Sequence, residues 1–418
     1  MIKYALAGSN VSKSYSKEIH EYLLRDNYDL LSFPNEKEFI RFLNTQDFRF
    51  LNVTIPFKEI AAKKCHLLTE DARITNAVNL LIKKDSRLYG YNTDTRGFQY
   101  LLNRYNINVK GKNILILGTG ATSRTVEYVL KKNGANKVWF ASRTKKGNNI
   151  FSYDQYVAFS DAEIIVNTTP IGNLEHKDEL LITDIDKLEK LTTYIDVNYF
   201  VMSNAQARLM SSRGIKTYSG LSMLVAQALN SEEVYEEMKF DTYRVDEMYL
   251  KTFKRHFNIA LIGHPCSGKT TIGKALAESL EMEFIDIDQY IEQSQGISIK
   301  EMIETKGEEY FRELEKAAIK EFSSSSGKVI STGGGAILDE ENMIVLKERS
   351  LVINLYRDIQ SISNEELESR PLSSTQEALM KVIENRKQYY SEYADVEVAN
   401  TTIKETVEKI RGLLWNFL

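Results

Sequence analysis

The chain has 418 residues, more than one hydrophobic core usually supports, and at roughly 100–200 residues per domain we expect three domains. Its composition, 43% hydrophobic and 27% charged, is that of an ordinary globular protein. The net charge of −4 gives no basic field for holding nucleic acid, and no stretch of about 18 apolar residues predicts a membrane span.

Short β-like runs alternate with helical patterns along most of the chain, which indicates α/β domains with parallel sheets. The start, MIKYALAGSN, has too short an apolar run for a signal peptide, so we expect a cytoplasmic protein. The two cysteines, Cys65 and Cys266, lie far apart in sequence and predict neither a disulfide framework nor a zinc site.

Polar residues cluster at two predicted strand ends in the first hundred residues. The run LNVTIPFKE places Thr54 and Lys58 at one end, and YNTDTRG places Asp94 at the other. A turn rich in Asn, Thr and Asp explains either cluster equally well on its own. Together, however, Lys58 and Asp94 can form a proton-transfer pair. Oxidation of an alcohol to a ketone needs such a group, because the hydroxyl proton must be accepted as hydride leaves.

A glycine-containing loop, GTGATS, follows the predicted strand Asn113–Leu117. Gly118 and Gly120 match the first two glycines of a dinucleotide-binding fingerprint, whereas the third position is Ser123. Taken alone, an ordinary strand-to-helix turn explains this loop equally well.

The next predicted strand, KVWFAS, bears on the choice of dinucleotide. It ends in Ser142, followed by Arg143 and Thr144, where an NAD site carries an Asp or Glu for the ribose. A neutral residue and a cation at this place favour the 2′-phosphate of NADP.

Two segments interrupt the alternation of strands and helices. The weaker interruption is NINVKGK at residues 106–112, just before the strand that leads to the glycine loop. The clearer one is residues 241–257, which are charged, aromatic and free of Gly and Pro. We place domain boundaries at both segments.

A second nucleotide loop, GHPCSGKTT, follows the apolar run Asn258–Ile262 and opens a segment with helical apolar spacing. A strand that leads Gly-x-x-x-x-Gly-Lys-Thr into a helix directs backbone N–H groups and the helix dipole toward anionic oxygens. Lys269 then reaches the β- and γ-phosphates of ATP, and the Thr270 hydroxyl holds Mg²⁺. The residues that we expect to contact the nucleotide are Gly263, Ser267, Gly268, Lys269, Thr270 and Thr271.

The segment from Met1 to about Phe240 resembles the shikimate dehydrogenases across its whole length. The shared motifs, in chain order, are SKSYS, NVTIPFK, AVN, NTD, the GTG loop, SRT, NTTPIG, DVNY and GLSMLVAQA. The resemblance implies an α/β substrate domain and a Rossmann NADP domain, with Lys58 and Asp94 as the catalytic pair.

The same resemblance assigns the binding residues of this half. Those on the substrate are Ser14, Ser16, Thr54, Asn79, Tyr199 and Gln227. Those on the cofactor are Gly118, Gly120, Ala121, Ser142, Arg143, Thr144 and Gly220. Of these two sets, Tyr199 and Gly220 are expected near the nicotinamide end.

Four of these motifs, or the residues beside them, depart from the pattern of that family. The Asn-Pro usual after DVNY is Phe200-Val201, the Gly before AVN is Asn76, and the Met after NTTPIG is Asn173. The loop reads GTGATS instead of the usual GAGGA. None of these departures touches the proton pair.

The segment from about Asn258 to Leu418 resembles the shikimate kinases. Beyond the phosphate loop, the motifs FIDID, GEEYFRELE, STGGG, SRPL and ENRKQYY supply Asp286, Asp288, Arg312, Glu315, Gly333, Gly334, Gly335, Arg370 and Arg386. Asp286 and Asp288 occupy alternate positions of a predicted strand and should therefore face the same side.

The kinase resemblance also implies a role for each residue. Arg312, Arg386 and the glycine run bind the carboxylate and ring of shikimate, which suits the planar fork of arginine. Asp288 orients the acceptor hydroxyl and Asp286 assists Mg²⁺. Arg370 comes from a closing lid and balances phosphoryl charge.

These features predict a bifunctional enzyme that reduces 3-dehydroshikimate with NADPH and then phosphorylates shikimate with ATP and Mg²⁺. Its partners are these small molecules, with neither nucleic acid nor membrane involved. Two alternatives for the first half remain, namely activity on quinate and a non-catalytic module that binds shikimate. The expected regions are a substrate domain over 1–105 joined by 225–240, an NADP domain over 106–224, a linker over 241–257 and a P-loop kinase domain over 258–418.

Overall fold

The structure, a computed structural model, describes residues 3–143, 147–362 and 375–416. Strands and helices alternate within these ranges and build three sheets, so the predicted α/β class is confirmed. Among the helices of the described ranges, none combines the length and the apolar character needed to span a bilayer.

The first sheet has the strand order β2-β1-β3-β5-β6-β4. Its strands are β1 (Tyr4–Gly8), β2 (Asp29–Ser32), β3 (Phe50–Val53), β4 (Leu67–Leu68), β5 (Leu80–Lys84) and β6 (Arg87–Tyr91). The accompanying helices are α1 (Ser16–Leu24), α2 (Glu36–Thr45), α3 (Lys58–Lys64), α4 (Glu70–Thr75) and α5 (Asp94–Arg104).

This first sheet is mixed, whereas the sequence pattern predicts a parallel one. Strands β1, β2 and β3 are parallel, but β5 pairs antiparallel with both β3 and β6. Between β5 and β6, Asp85 and Ser86 have φ of 50° and 61°. Two consecutive left-handed residues close a tight hairpin, which reverses the chain without a crossover helix.

The second sheet is fully parallel, in the order β12-β11-β10-β7-β8-β9. Its strands are β7 (Asn113–Leu117), β8 (Lys137–Ala141), β9 (Ile150–Phe151), β10 (Ile164–Asn167), β11 (Thr193–Asp196) and β12 (Lys216–Ser219). The helices of this part are α6 (Ala121–Lys132), α7 (Ala205–Ser211), α8 (Leu221–Glu236) and α9 (Thr242–His256). The predicted strand before the first glycine loop is β7.

Helix α8 returns from the second sheet to the core of the first. Its residues Val234 and Tyr235 pack in the cluster of Tyr4 and Phe50. The Tyr235 ring lies edge-on to both aromatic rings, at centroid distances of 5.6 and 5.5 Å. Met223, near the start of α8, packs in the core cluster of the second sheet, so α8 contacts both cores.

The third sheet is also fully parallel, in the order β14-β15-β13-β16-β17. Its strands are β13 (Asn258–Ile262), β14 (Glu283–Asp286), β15 (Lys328–Ser331), β16 (Ser350–Tyr356) and β17 (Val396–Ala399). The helices are α10 (Lys269–Leu280), α11 (Ile287–Gln295), α12 (Ile299–Lys306), α13 (Glu308–Ser323), α14 (Glu340–Arg349), α15 (Gln376–Tyr393) and α16 (Ile403–Asn416). Central strand β13 is the apolar run predicted before the phosphate loop.

The segment predicted as a linker, residues 241–257, contains helix α9. Met248, Tyr249, Thr252 and Phe253 are each at most 2% exposed, and their spacing places them on one helical face. That spacing is present in the sequence, but charged residues between these positions obscure it. The linker is therefore a helix with a buried face.

Within its first half, α9 is fixed to α5 by a buried polar cluster. Asp246 accepts hydrogen bonds from the Arg104 guanidinium and, at 2.5 Å, from the Tyr100 hydroxyl. The Arg104 guanidinium also lies 4.0 Å from the centroid of the Tyr249 ring. The chain divides into two compact units inside this helix, because the first unit extends to Thr252 and the second resumes at Phe253.

Candidate active sites

A lysine and an aspartate meet in the first unit at the starts of two helices. Lys58 begins α3 after β3, and Asp94 begins α5 after β6. The Lys58 Nζ donates to Asp94 Oδ2 at 2.6 Å, and the two side chains are 11% and 10% exposed. The pair predicted from the sequence is thus formed, and this short contact holds the Lys58 amino group in one orientation.

The Asn79 amide holds the second oxygen of Asp94, and the Gln227 amide contacts Asn79 in turn. Asn79 Nδ2 lies 3.1 Å from Asp94 Oδ1, 2.8 Å from Thr93 Oγ1 and 3.2 Å from Gln227 Oε1. Asn79 Oδ1 in turn accepts the backbone N–H of Thr93 at 2.7 Å. These contacts determine which end of the Asn79 amide is the donor, and they join α8 to the proton pair.

The proton pair opens into a cavity of about 380 Å³ between the first and second sheets. The predicted residues that line it are Ser14, Ser16, Thr54, Lys58, Asn79, Asp94, Tyr199, Gly220 and Gln227. On one side of it, Ser14 Oγ donates to Ser16 Oγ at 3.0 Å. Burial raises the pKa of Tyr199 to about 12, while its hydrogen bond with Ser14 lowers it. Tyr199 therefore contributes a protonated hydroxyl beside the two serines.

Gly220 occupies a position where backbone segments approach too closely for a side chain. A Cβ built on it would lie 2.1 Å from the carbonyl oxygen of Val197. Such an approach requires glycine. The closeness keeps the start of α8 against the chain that follows β11.

The dinucleotide loop lies at the carboxyl ends of the adjacent strands β7 and β8. Gly118 has φ of 100°, and a Cβ on Gly120 would meet no described atom within 4 Å. Helix α6 starts at Ala121 with no acidic residue in its first turn, and none of the described side chains caps it. Open space before an uncapped helix N-terminus fits a dinucleotide pyrophosphate.

The side chains expected at the 2′-phosphate follow β8. Ser142 comes directly after the strand, and Arg143 is exposed beside it. Thr144 lies outside the described residues. Among the described residues predicted at this cofactor, only Gly220 lines the 380 Å³ cavity, but Thr168 lies near both the cavity and the glycine loop. It lines the cavity, and its Oγ1 is 3.0 Å from a Cβ built on Gly118.

The phosphate loop of the second unit links β13 to α10. Gly263 and Gly268 have φ of 148° and 92°, conformations that favour glycine. Lys269 Nζ donates to the carbonyl oxygens of Gly263 at 2.9 Å and His264 at 3.1 Å. Ser267 Oγ is buried and has no hydrogen-bond partner among the described residues. A held ammonium and an unsatisfied hydroxyl in a glycine-bounded loop fit an anionic ligand.

Beside this loop, Thr270 Oγ1 donates to Asp286 Oδ2 at 2.6 Å. A hydroxyl and a carboxylate oxygen are ligands suited to Mg²⁺. Asp286 ends β14 and caps α11, because its Oδ1 accepts the backbone N–H of Gln289 at 3.1 Å. Asp288 consequently lies in the first turn of a helix, and the prediction that it alternates with Asp286 along a strand is wrong. The capping preference of aspartate ends the strand at Asp286.

A cavity of about 640 Å³ adjoins the phosphate loop. The predicted residues that line it are Gly268, Lys269, Thr270, Thr271, Asp286, Asp288, Arg312, Glu315, Gly333, Gly334, Gly335 and Arg386. Gly263 and Ser267 belong to the loop but not to this lining, and Arg370 lies outside the described residues. The cavity thus joins the predicted nucleotide residues to the predicted acceptor residues.

The glycine run is packed against the charged groups of this cavity. A Cβ on Gly335 would lie 2.6 Å from Arg312 Nη1, and one on Gly333 would lie 2.4 Å from Glu315 Oε1. Arg386 Nη1 donates to the Gly334 carbonyl at 2.7 Å. The absence of a side chain on Gly335 therefore lets the Arg312 guanidinium approach the run, and the Gly334 carbonyl binds the Arg386 guanidinium beside it.

Arg312 is held by two glutamates. Its Nη1 donates to Glu315 Oε2 and its Nη2 to Glu308 Oε1, both at 2.8 Å. Burial raises the pKa of Glu315, as does nearby Asp288, whereas Arg312 and Arg386 lower it. The guanidinium fork is thereby oriented before any ligand arrives.

Sequence reasoning missed two contacts at this site. Glu308 was passed over, although it lies one helical turn before Arg312 and is placed to pair with it. Asn400, directly after β17, donates from Nδ2 to the Ser267 carbonyl at 2.9 Å. Its position at the carboxyl end of a parallel strand is the signal that points to it.

Comparisons with known proteins agree with this division. Residues 6–81 match the family model for the shikimate dehydrogenase substrate binding domain, and residues 265–414 match that for shikimate kinase. A shikimate dehydrogenase (NADP(+)) of Caldicellulosiruptor bescii is 30% identical over 258 residues, covering 56% of this chain and 89% of the relative. A shikimate kinase of Persephonella marina is 41% identical over 145 residues, covering 34% of this chain and 88% of the relative.

Among solved structures, the fold of the first unit is shared by the shikimate 5-dehydrogenase of Thermus thermophilus, determined in complex with NADP(H) and shikimate. The two are 25% identical with a TM-score of 0.53, over 60% of this chain and all of that one (100%). Each of the two units thus has its own set of similar proteins. The chain belongs to the shikimate dehydrogenase family through its N-terminal part and to the shikimate kinase family through its C-terminal part.

Proposed function

We propose that the chain catalyses two consecutive reactions on one small molecule. It reduces 3-dehydroshikimate to shikimate with NADPH, and it transfers the γ-phosphoryl group of ATP to the 3-hydroxyl of shikimate. The observation that carries the proposal is that each unit has its own cavity, with a Lys–Asp pair in one and a phosphate loop beside two arginines in the other. The names of the relatives support the same pair of activities.

In the first cavity, Lys58 handles the proton. The bound cofactor supplies the hydride that reduces the carbonyl carbon at ring position C3. The Lys58 ammonium gives its proton to the ketone oxygen, so that a hydroxyl forms and a neutral amine remains. Asp94, 2.6 Å from Lys58 Nζ, holds the ammonium in place before the transfer. In the reverse direction the neutral amine accepts the hydroxyl proton.

The remaining polar groups of the first cavity orient the ring. The hydroxyls of Ser14, Ser16 and Tyr199 lie together and are suited to donate to the substrate carboxylate. On the other side, the amides of Asn79 and Gln227 present groups for the ring hydroxyls. Two different polar sides fix which face of the ring meets the cofactor.

In the second cavity, transfer depends on positioning and on neutralising phosphoryl charge. Lys269 and the loop N–H groups bind the phosphates, and Thr270 with Asp286 holds Mg²⁺. Asp288 orients the acceptor hydroxyl, and Arg312 and Arg386 bind the carboxylate of shikimate. Arg370 lies outside the described residues, so its role at the transferring group stays a prediction from the sequence.

Quinate turnover and a non-catalytic first unit are not favoured, because the relatives are named shikimate dehydrogenases and the proton pair is intact. The net charge of −4 provides no basis for a nucleic-acid partner, and we propose a cytoplasmic enzyme that meets only small molecules.

Two separate assays test the proposal. NADP⁺ reduction is followed with shikimate and with quinate, and ADP release is followed with shikimate and Mg·ATP. We expect shikimate-dependent signals in both assays and a far smaller NADPH signal with quinate. If shikimate gives no reduction of NADP⁺, the first unit is instead a non-catalytic module that binds shikimate.

A further inference from the structure

His264, directly after the first glycine of the phosphate loop, is buried, with 4% of its surface exposed. Its Nε2 lies 3.2 Å from the backbone nitrogen of Arg357, and its Nδ1 lies 2.7 Å from the carbonyl oxygen of Pro265. A backbone N–H can only donate and a carbonyl can only accept. The two contacts together therefore require the neutral ring with its proton on Nδ1.

The bond to Pro265 sets the direction of the next peptide group. In a trans peptide the C=O and N–H point in opposite directions, so fixing the Pro265 carbonyl against the ring turns the Cys266 N–H to the far side. Pro265 itself has no N–H, so the loop has one donor fewer and the orientation of the others matters more. Cys266 also has φ of 62°, which a non-glycine residue adopts only with support from its surroundings.

The bond to Arg357 ties the ring to the end of β16. The start of the loop already lies close to that strand, because a Cβ on Gly263 would be 2.1 Å from the Leu355 carbonyl oxygen. His264 adds to this contact, because one ring nitrogen accepts from the Arg357 N–H and the other donates to the Pro265 carbonyl. The imidazole thus bridges the strand end and the middle of the phosphate loop.

We propose that His264 is a positioning residue for ATP, whose neutral imidazole holds the Pro265–Cys266 peptide against β16 so that the loop keeps its phosphate-binding shape. It acts through the loop backbone and does not contact the reacting atoms. This inference rests on the proposed kinase activity, since it assigns the loop to ATP.

The surroundings of His264 keep the ring neutral. Burial lowers the pKa of His264 below its ordinary value, and the charges of Lys269 and Arg357 lower it further, although its hydrogen bond to the Pro265 carbonyl acts the other way. A protonated ring would carry N–H at both nitrogens, so Nε2 would oppose the Arg357 N–H. Acid therefore breaks one side of the bridge, and ATP binding should weaken as the pH falls through the pKa of His264.

Two variants of the full-length chain test this inference. His264→Phe keeps a planar ring but removes both hydrogen bonds, whereas His264→Gln offers a donor and an acceptor that do not titrate. The dissociation constant of a non-hydrolysable ATP analogue with Mg²⁺ is measured by calorimetry from about pH 8 down to about pH 5, because the pKa of His264 lies below the ordinary value of histidine. Steady-state KM for ATP and for shikimate is measured in parallel.

His264→Phe should weaken analogue binding and raise KM for ATP roughly tenfold, as expected for one or two lost hydrogen bonds, with little change in KM for shikimate. His264→Gln should bind nearly as the wild type does at neutral pH and lose the weakening in acid. Dehydrogenase turnover of the same chain should be unchanged in both variants.

Wild-type binding by His264→Phe, or the same loss in acid for wild type and His264→Gln, would overturn the inference. If His264→Phe does not fold, as judged by its melting profile, the pH comparison with His264→Gln decides alone. A wild-type chain that binds the analogue but does not phosphorylate shikimate would contradict the proposed function instead, and the binding comparison would still be readable.

Discussion

At the residue scale, we propose that one side chain, Lys58, carries the proton of the first reaction. Lys58→Ala should lower dehydrogenase turnover by about 10²–10⁴-fold, the usual contribution of a positioned acid or base. Phosphorylation of added shikimate should be unaffected. Lys64→Ala, on the exposed end of the same helix, is the matched control and should leave both activities unchanged. Turnover that survives in Lys58→Ala would remove Lys58 from the chemistry.

We also propose that a single side chain, Arg143, governs the choice of cofactor. Arg143 is an exposed cation after β8, where it can reach the 2′-phosphate that distinguishes NADPH from NADH. Arg143→Ala should therefore raise KM for NADPH far more than KM for NADH. A wild-type enzyme equally efficient with both cofactors would contradict this assignment.

Some residues of the sites could be predicted from the sequence, and others could not. Lys58 and Asp94 were paired from the sequence because the reaction needs a proton carrier and both residues follow predicted strands. The role of His264 could not be predicted in this way. It depends on a hydrogen bond to Arg357, which lies 93 positions along the chain and meets the ring only after β16 pairs with β13.

At the element scale, the strands before both glycine loops were predicted with their bounds. Asn113–Leu117 and Asn258–Ile262 are buried on both faces of parallel sheets, so they read as unbroken apolar runs. The hairpin of the first sheet was not predicted, because Asp85-Ser86 is a weaker turn signal than Asn-Gly or Asp-Gly.

Helix α9 leads to a prediction about stability. Asp246 partners the Arg104 side chain, which is 2% exposed, so Asp246→Ala leaves a buried guanidinium without its carboxylate. Breaking a buried ion pair in this way costs about 3–5 kcal/mol. The dehydrogenase unit of the variant should therefore unfold at a lower temperature. This is measured as the temperature at which the heated protein loses NADP⁺ reduction. Glu247→Ala, at the exposed neighbouring position, should melt as the wild type does.

The same helix determines where the chain can be divided. We propose that each unit folds and acts on its own, because each has its own sheet-based core and its own cavity. Fragments 1–256 and 241–418 both keep all of α9, and both should be soluble and active. A cut between residues 248 and 249 divides the helix and should yield less stable fragments. A fragment that keeps α9 and folds, but works only when the other is added, would contradict independence.

At the scale of the whole molecule, the central claim is that one chain carries two separable activities in sequence. The most direct measurement supplies 3-dehydroshikimate, NADPH and Mg·ATP to the wild type, Lys58→Ala and Lys269→Ala, and follows NADPH consumption and ADP formation together. We predict that the wild type shows both signals and that Lys269→Ala keeps NADPH consumption but forms little ADP. Lys58→Ala should show neither signal until shikimate is added, which should restore ADP formation alone. ADP formation by Lys58→Ala from 3-dehydroshikimate, or loss of both signals in Lys269→Ala, would contradict the claim.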